Sequence, residues 1–127
     1  MRSRIIALVI MLGTIATLCT ISLITVTHVK DEMLQTLSDA TQAAESGDLE
    51  TARQHVNDAN QKWEKHEQPL TLCVRHAEID EMSRILSELD AFLQEKNTAE
   101  FLANTKKAET IIHHLWYNEL PFPENIL

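Results

Sequence analysis

Glycine and proline are almost missing from this chain. Its 127 residues hold two glycines and three prolines, and aromatic side chains make up only 5%. Sheets need turns, and Gly and Pro are the strongest turn signals, so this scarcity argues against a β-rich fold and for long helices. Acidic residues are missing before Asp31, whereas Arg2 and Arg4 stand ahead of the first apolar run. From Lys30 onward, 9 basic residues face 19 acidic ones, a formal −10. Such a surface repels phosphates, which disfavours nucleic acid and anionic headgroups as partners.

Motifs that carry chemistry are missing too. The chain has no Gly-x-Ser-x-Gly, no glycine-rich phosphate loop and no His-Glu-x-x-His. None of the six histidines has a Glu three residues before it, the spacing used by helical di-metal sites. His113 and His114 are adjacent and point in different directions along a helix. No catalytic residue, metal-ligand set or cofactor is therefore expected, and the chain is not read as an enzyme. A hydrolase built from helix carboxylates would need two acids converging in one pocket. The two cysteines, Cys19 and Cys73, lie about fifty residues apart, one of them inside the apolar run, and are not expected to pair.

What the chain does have begins with "IIALVIMLGTIATLCTISLITV", residues 5–26, without a charge. At ~1.5 Å per residue this run spans roughly 33 Å as a helix, enough for a hydrocarbon core of ~30 Å. It is too long for a signal-peptide core and no Ala-x-Ala site follows, so an uncleaved single-pass anchor over residues 5–27 is expected. Arg2 and Arg4, in a four-residue N-terminus, would stay in the cytoplasm and leave residues 28–118 as an exported bundle, followed by a tail at 119–127. The expected location is the cell membrane, with the C-terminal domain extracytoplasmic.

Four helical patterns follow. Met33, Leu34, Leu37, Ala40, Thr41 and Ala44 continue the anchor outward with helical spacing and no breaker. Gly47 suits a left-handed C-cap and Asp48 an N-cap. Leu49, Ala52, Val56, Ala59 and Trp63 then alternate steps of three and four, an apolar seam. Pro69 is read as opening a third helix that runs to about Lys96, with Leu72, Ile79, Leu86 and Leu93 seven apart. Asn97 and Glu100 have capping-box spacing for a fourth helix, whose columns carry Phe101, Thr105, Ala108, Ile112 and Leu115. Pro121 and Pro123 forbid its continuation. The fold class expected is all-α: an N-terminal transmembrane helix continuing into an antiparallel up-down-up-down four-helix bundle.

In that topology Trp63, His76, His113, His114, Trp116, Tyr117 and Phe122 gather at the membrane-proximal end, where Trp and Tyr favour the headgroup region. His76 borders the apolar column of the third helix, one turn before Asp80, which could accept its ring N–H. Trp63 should come close to the first turn of that helix. An ordinary packed histidine is the reading this pattern favours, ahead of a binding or proton-sensing site and of a metal ligand.

Trp63, the string "HAEID" with His76, Glu78, Ile79 and Asp80, and the closing "NIL" together resemble the family called domain of unknown function 4363. The resemblance implies a small single-pass bacterial membrane protein with a helical exported domain and no assigned activity. It draws attention to Trp63, His76, Asp80 and Asn125, which with Trp116 are the candidate residues for a partner surface or a structural latch. The function expected is that of a non-enzymatic accessory protein that binds another membrane protein or self-associates. The alternative is an extracytoplasmic sensor or ligand-binding bundle, metal- or pH-responsive through His76.

Overall fold

The computed structural model describes residues 1–70 and 75–119, which form four helices and, among the described residues, no strand. They are α1 (Arg2–Glu45), α2 (Leu49–Leu70), α3 (His76–Gln94) and α4 (Thr98–Glu119). α1 packs against α2 and α4, and α3 packs against the same two, so the helices close a ring around one core. Short connections make successive helices antiparallel, the expected bundle.

α1 is unbroken for 44 residues, roughly 66 Å at the helical rise. Its first half is the apolar run, with Ile5, Ile6, Leu8, Val9, Ile10, Leu12, Ile15, Leu18, Ile21 and Ile24 all exposed. From Val29 the same helix turns amphipathic, and Val29, Met33, Leu37, Ala40 and Ala44 enter the core. It is long and apolar enough to cross a membrane.

The two distal turns share one design. Ser46 and Glu95 end α1 and α3 in the right-handed region, and the next residue swings left-handed: Gly47 at φ 84° and Lys96 at φ 57°. In each turn the following amide returns to the helix, Asp48 to the Ala43 carbonyl at 2.9 Å and Asn97 to that of Phe92 at 2.8 Å. Each of those residues then caps the next helix. The Asp48 carboxylate accepts from the Thr51 amide at 3.1 Å and the Asn97 carbonyl oxygen from the Glu100 amide at 3.3 Å. The Thr51 hydroxyl and amide hold the Asp48 carboxyl below the usual carboxylate range. Glycine was expected at the first turn; a lysine in the left-handed region was not.

The Pro69 connection differs from expectation. α2 runs through Pro69 to Leu70, and α3 starts at His76, so Pro69 closes the second helix instead of opening the third. Packing explains the extension. Leu49, Val56, Trp63 and Leu70 are seven apart, and Leu70 is buried, which outweighs one missing amide in the last turn. Leu72 and Cys73 lie outside the described residues.

α3 supplies the broadest core face: Ile79, Met82, Ile85, Leu86, Leu89 and Leu93 are all buried. At ~1.5–3 kcal/mol for each large apolar side chain, this helix is the main source of burial energy. Three buried polar residues are satisfied locally. The Thr105 hydroxyl donates to the Phe101 carbonyl, the Asn104 amide to that of Glu100, and the Thr36 hydroxyl to that of Glu32. Among the described residues no buried side-chain nitrogen or oxygen lacks a partner.

Candidate functional site

The end of the bundle where α1 leaves for its apolar half, the proximal end, is where the sequence gathered its candidates. Val29, Lys30 and Met33 of α1 there face Trp63 and Leu70 of α2 and Ile112 and Leu115 of α4 around a cavity of about 20 Å³. That is room for about one water, and its lining is almost wholly apolar.

Trp63 is 3% exposed, and its indole N–H donates to the Ser83 hydroxyl on α3 at 2.8 Å. Ser83 in turn donates to the Glu67 carboxylate at 3.5 Å. This relay joins α2 to α3 beside the core. It lies two turns into α3, where the first turn was expected, because α2 runs on to Leu70 and so leaves Trp63 two turns from its end, level with the second turn of the antiparallel α3. Ser83 stands in one column with His76 and Asp90, seven residues from each, and was not among the expected site residues. The signal was there: that column faces α2, and its last member, Asp90, also reaches across.

His76 is the first residue of α3, exposed, and Asp80 is exposed one turn later. No hydrogen bond joins them. A histidine at the first helical position has no preceding turn to lie against, so the rim position expected from the column is not realised. Arg84, four residues after Asp80, engages Glu81 at 2.6 Å and Glu88 at 2.9 Å, holding the Glu81 carboxyl below the usual range. Trp116 lies near the end of α4. Asn125 and Phe122 lie outside the described residues. Trp63, the start of α3 and the end of α4 therefore share one end of the bundle, but no contact links Trp63, His76 and Asp80 into one constellation.

Histidines on the other side of that end do meet an acid. His66 Nε2 lies 3.8 Å from one Glu32 carboxylate oxygen and His28 Nε2 3.5 Å from the other. One turn outward, Lys62 donates to the Thr36 hydroxyl at 2.9 Å and pairs with Asp58 at 3.0 Å. Among the described residues no three His, Cys, Asp or Glu side chains converge so as to hold a metal ion.

The distal half carries an open groove of about 460 Å³ between α2 and α3, lined by Arg53, Gln54, Asn57, Asn60, Ser87 and Asp90, with Glu50 at its edge. Two acids do approach one cation here. Arg53 Nε donates to Asp90 at 2.8 Å, and its guanidinium lies 3.9 Å from Glu50. The hydrogen bond from Arg53 holds the Asp90 carboxyl below the usual range, assisted by Gln94. A general acid needs the opposite shift, so this pair reads as a tie between helices. Asn60 adds to it, donating to the carbonyls of Val56 and Leu86, each at 3.2 Å.

A family model, described as domain of unknown function (DUF4363), matches residues 20–126. The chain belongs to this family. The DUF4363 match starts inside the apolar run of α1 and takes in α2, α3 and α4 whole. No curated protein and no solved structure matches the chain.

Proposed function

We propose that this DUF4363 protein is a non-enzymatic accessory protein of the cell membrane. In this reading residues 5–27 anchor it, the N-terminus is cytoplasmic, and the extracytoplasmic bundle holds another membrane protein or a second copy of itself. One observation carries the proposal: α1 passes without a break from an apolar half exposed around its circumference into a half that builds the core. A helix apolar on every side is at rest only inside protein or lipid, and the bundle fills its own core from other residues. Arg2 and Arg4 ahead of the run favour a cytoplasmic N-terminus. A bundle mounted on an unbroken helix stands at a fixed height above the bilayer, which suits a part that positions or braces a neighbour.

A second reading, an extracytoplasmic sensor, is favoured by His76 itself, which is exposed and carries no bond to Asp80. Chemical crosslinking of the full-length chain in its own membranes, followed by purification and mass spectrometry, separates the two. One stoichiometric membrane partner, or the chain's own dimer, retained by His76→Ala, supports the accessory role. Recovery of the monomer alone at every crosslinker length contradicts it.

A further inference from the structure

A shallow groove of about 390 Å³ runs between α3 and α4, with Ile85 and Ile111 at its floor, Ala103 at its edge, and Glu81, Lys106 and Lys107 on its walls. Phe92, seven residues past Ile85 in the same column, is partly buried and carries the apolar strip towards the distal end. On the α4 side Ala99 and Ala103 are exposed and small, which lets another helix approach closely.

The two walls differ in charge. At this level α3 carries Glu81, Arg84 and Glu88, a formal −1, and α4 carries Lys106, Lys107 and Glu109, a formal +1. Pairing stays within each helix: Arg84 with Glu81 and Glu88, and Lys106 with Glu109 at 3.5 Å. Lys107 closes no ion pair with a described residue, although its field reaches Glu81 across the groove.

Anchoring restricts how a second copy can meet this groove. Both anchors enter one bilayer from the same side, so a two-fold axis relating two copies runs along the membrane normal, roughly parallel to the helices. Rotation about such an axis, set in front of the groove, keeps every residue at its height and exchanges the walls: α3 of each copy faces α4 of the other. Glu81 and Glu88 then stand opposite Lys106 and Lys107 of the second copy, twice over, and the apolar strips close on each other. An axis across the helices instead sets α3 against α3 and α4 against α4, like charge on like, and sends the anchors in opposite directions.

We infer that the α3/α4 groove is the contact surface of a parallel homodimer. The inference names the partner in the self-associating form of the reading proposed above and rests on it. The apolar strip is narrow; confinement to one membrane supplies the effective concentration that a narrow contact needs, and the charged walls set orientation. With neighbouring helix axes ~10 Å apart, the dimer holds its two α1 helices roughly 30 Å apart, so the spans do not touch.

The test uses the full chain in phosphatidylcholine liposomes, in a background without Cys19 and Cys73, with donor or acceptor dye at Asn57→Cys, exposed on α2. Wild-type copies should keep most of their energy transfer when lipid is added about tenfold, as a dimer does and crowding does not. Reversing one wall, by Lys106→Glu with Lys107→Glu or by Glu81→Lys with Glu88→Lys, should lower transfer to the level set by crowding. Mixing the two reversed chains should restore it, because the reversed α4 of one meets the reversed α3 of the other while their native walls still match. Ala103→Trp, at an exposed position, should block the dimer with the circular dichroism of the helices unchanged. Wild-type transfer that disappears on dilution, or transfer that survives either reversal or Ala103→Trp, overturns the inference. So does a mixture that fails to transfer although both reversed chains melt cooperatively; where a reversed chain does not, Ala103→Trp decides. Chains that an alkaline wash strips from the liposomes overturn the anchored reading instead.

Discussion

The indole N–H of Trp63 ends on the hydroxyl of Ser83, 2.8 Å away, so the largest side chain of the α2 seam has its one polar atom satisfied from the neighbouring helix. Changing Ser83 to Ala leaves that donor buried and unpaired, which should cost about 1–3 kcal/mol of unfolding free energy. Chemical denaturation of the full chain in micelles measures it. Trp63→Phe combined with Ser83→Ala should cost less than the sum of the two single changes, because the orphaned donor is then gone.

The Arg53–Asp90 tie gives acid sensitivity of a defined sign. Asp90 is held below its usual range in the folded chain, so the tie contributes stability above the unfolded carboxylate value of ~3.9 and loses it as pH falls through the lower folded value. Asp90→Asn should therefore destabilise the bundle at pH ~7 and flatten the loss of denaturation midpoint below pH ~4. Midpoints at the two pH values for both chains check this.

Lys96 stands in the left-handed region at φ 57°, where a Cβ is crowded. Lys96→Gly should stabilise the bundle by roughly 0.5–1 kcal/mol, and Gly47→Ala, at φ 84°, should destabilise it by a similar amount. Opposite shifts in thermal midpoint are the expected outcome.

Leu86 and Leu89 are fully buried on α3. Either one changed to Ala should cost about 2–5 kcal/mol, and Ala91→Ser on the exposed side of the same helix within about 0.5 kcal/mol. Denaturation curves of the three chains test which face of α3 builds the core.

The parts of this fold that local rules govern were readable in the chain. The apolar steps of three and four gave the inward faces of all four helices, Gly47 gave a left-handed turn, and Asp48 and Asn97 gave two caps. What escaped depended on tertiary contact. Pro69 looks like a helix start until Leu70 is seen to be buried, which keeps α2 going past it. Ser83 is one serine among several until Trp63 points at it. Arg84 had Asp80, Glu81 and Glu88 within one turn, and spacing alone cannot choose among three acids. His76 lost its expected rim position because α3 begins with it, and both it and Asp80 stand exposed.

The central claim is that residues 5–27 hold the chain in the membrane with the bundle outside. Labelling of single cysteines, in a background without Cys19 and Cys73, by a membrane-impermeant maleimide on intact cells tests it most directly. Asn57→Cys, exposed in the distal half of α2, should react on intact cells in a band of full-length mass, and Ser3→Cys should react only after the membrane is opened. Reaction of Ser3→Cys on intact cells, protection of Asn57→Cys, or a labelled chain shortened by the apolar run would contradict the account.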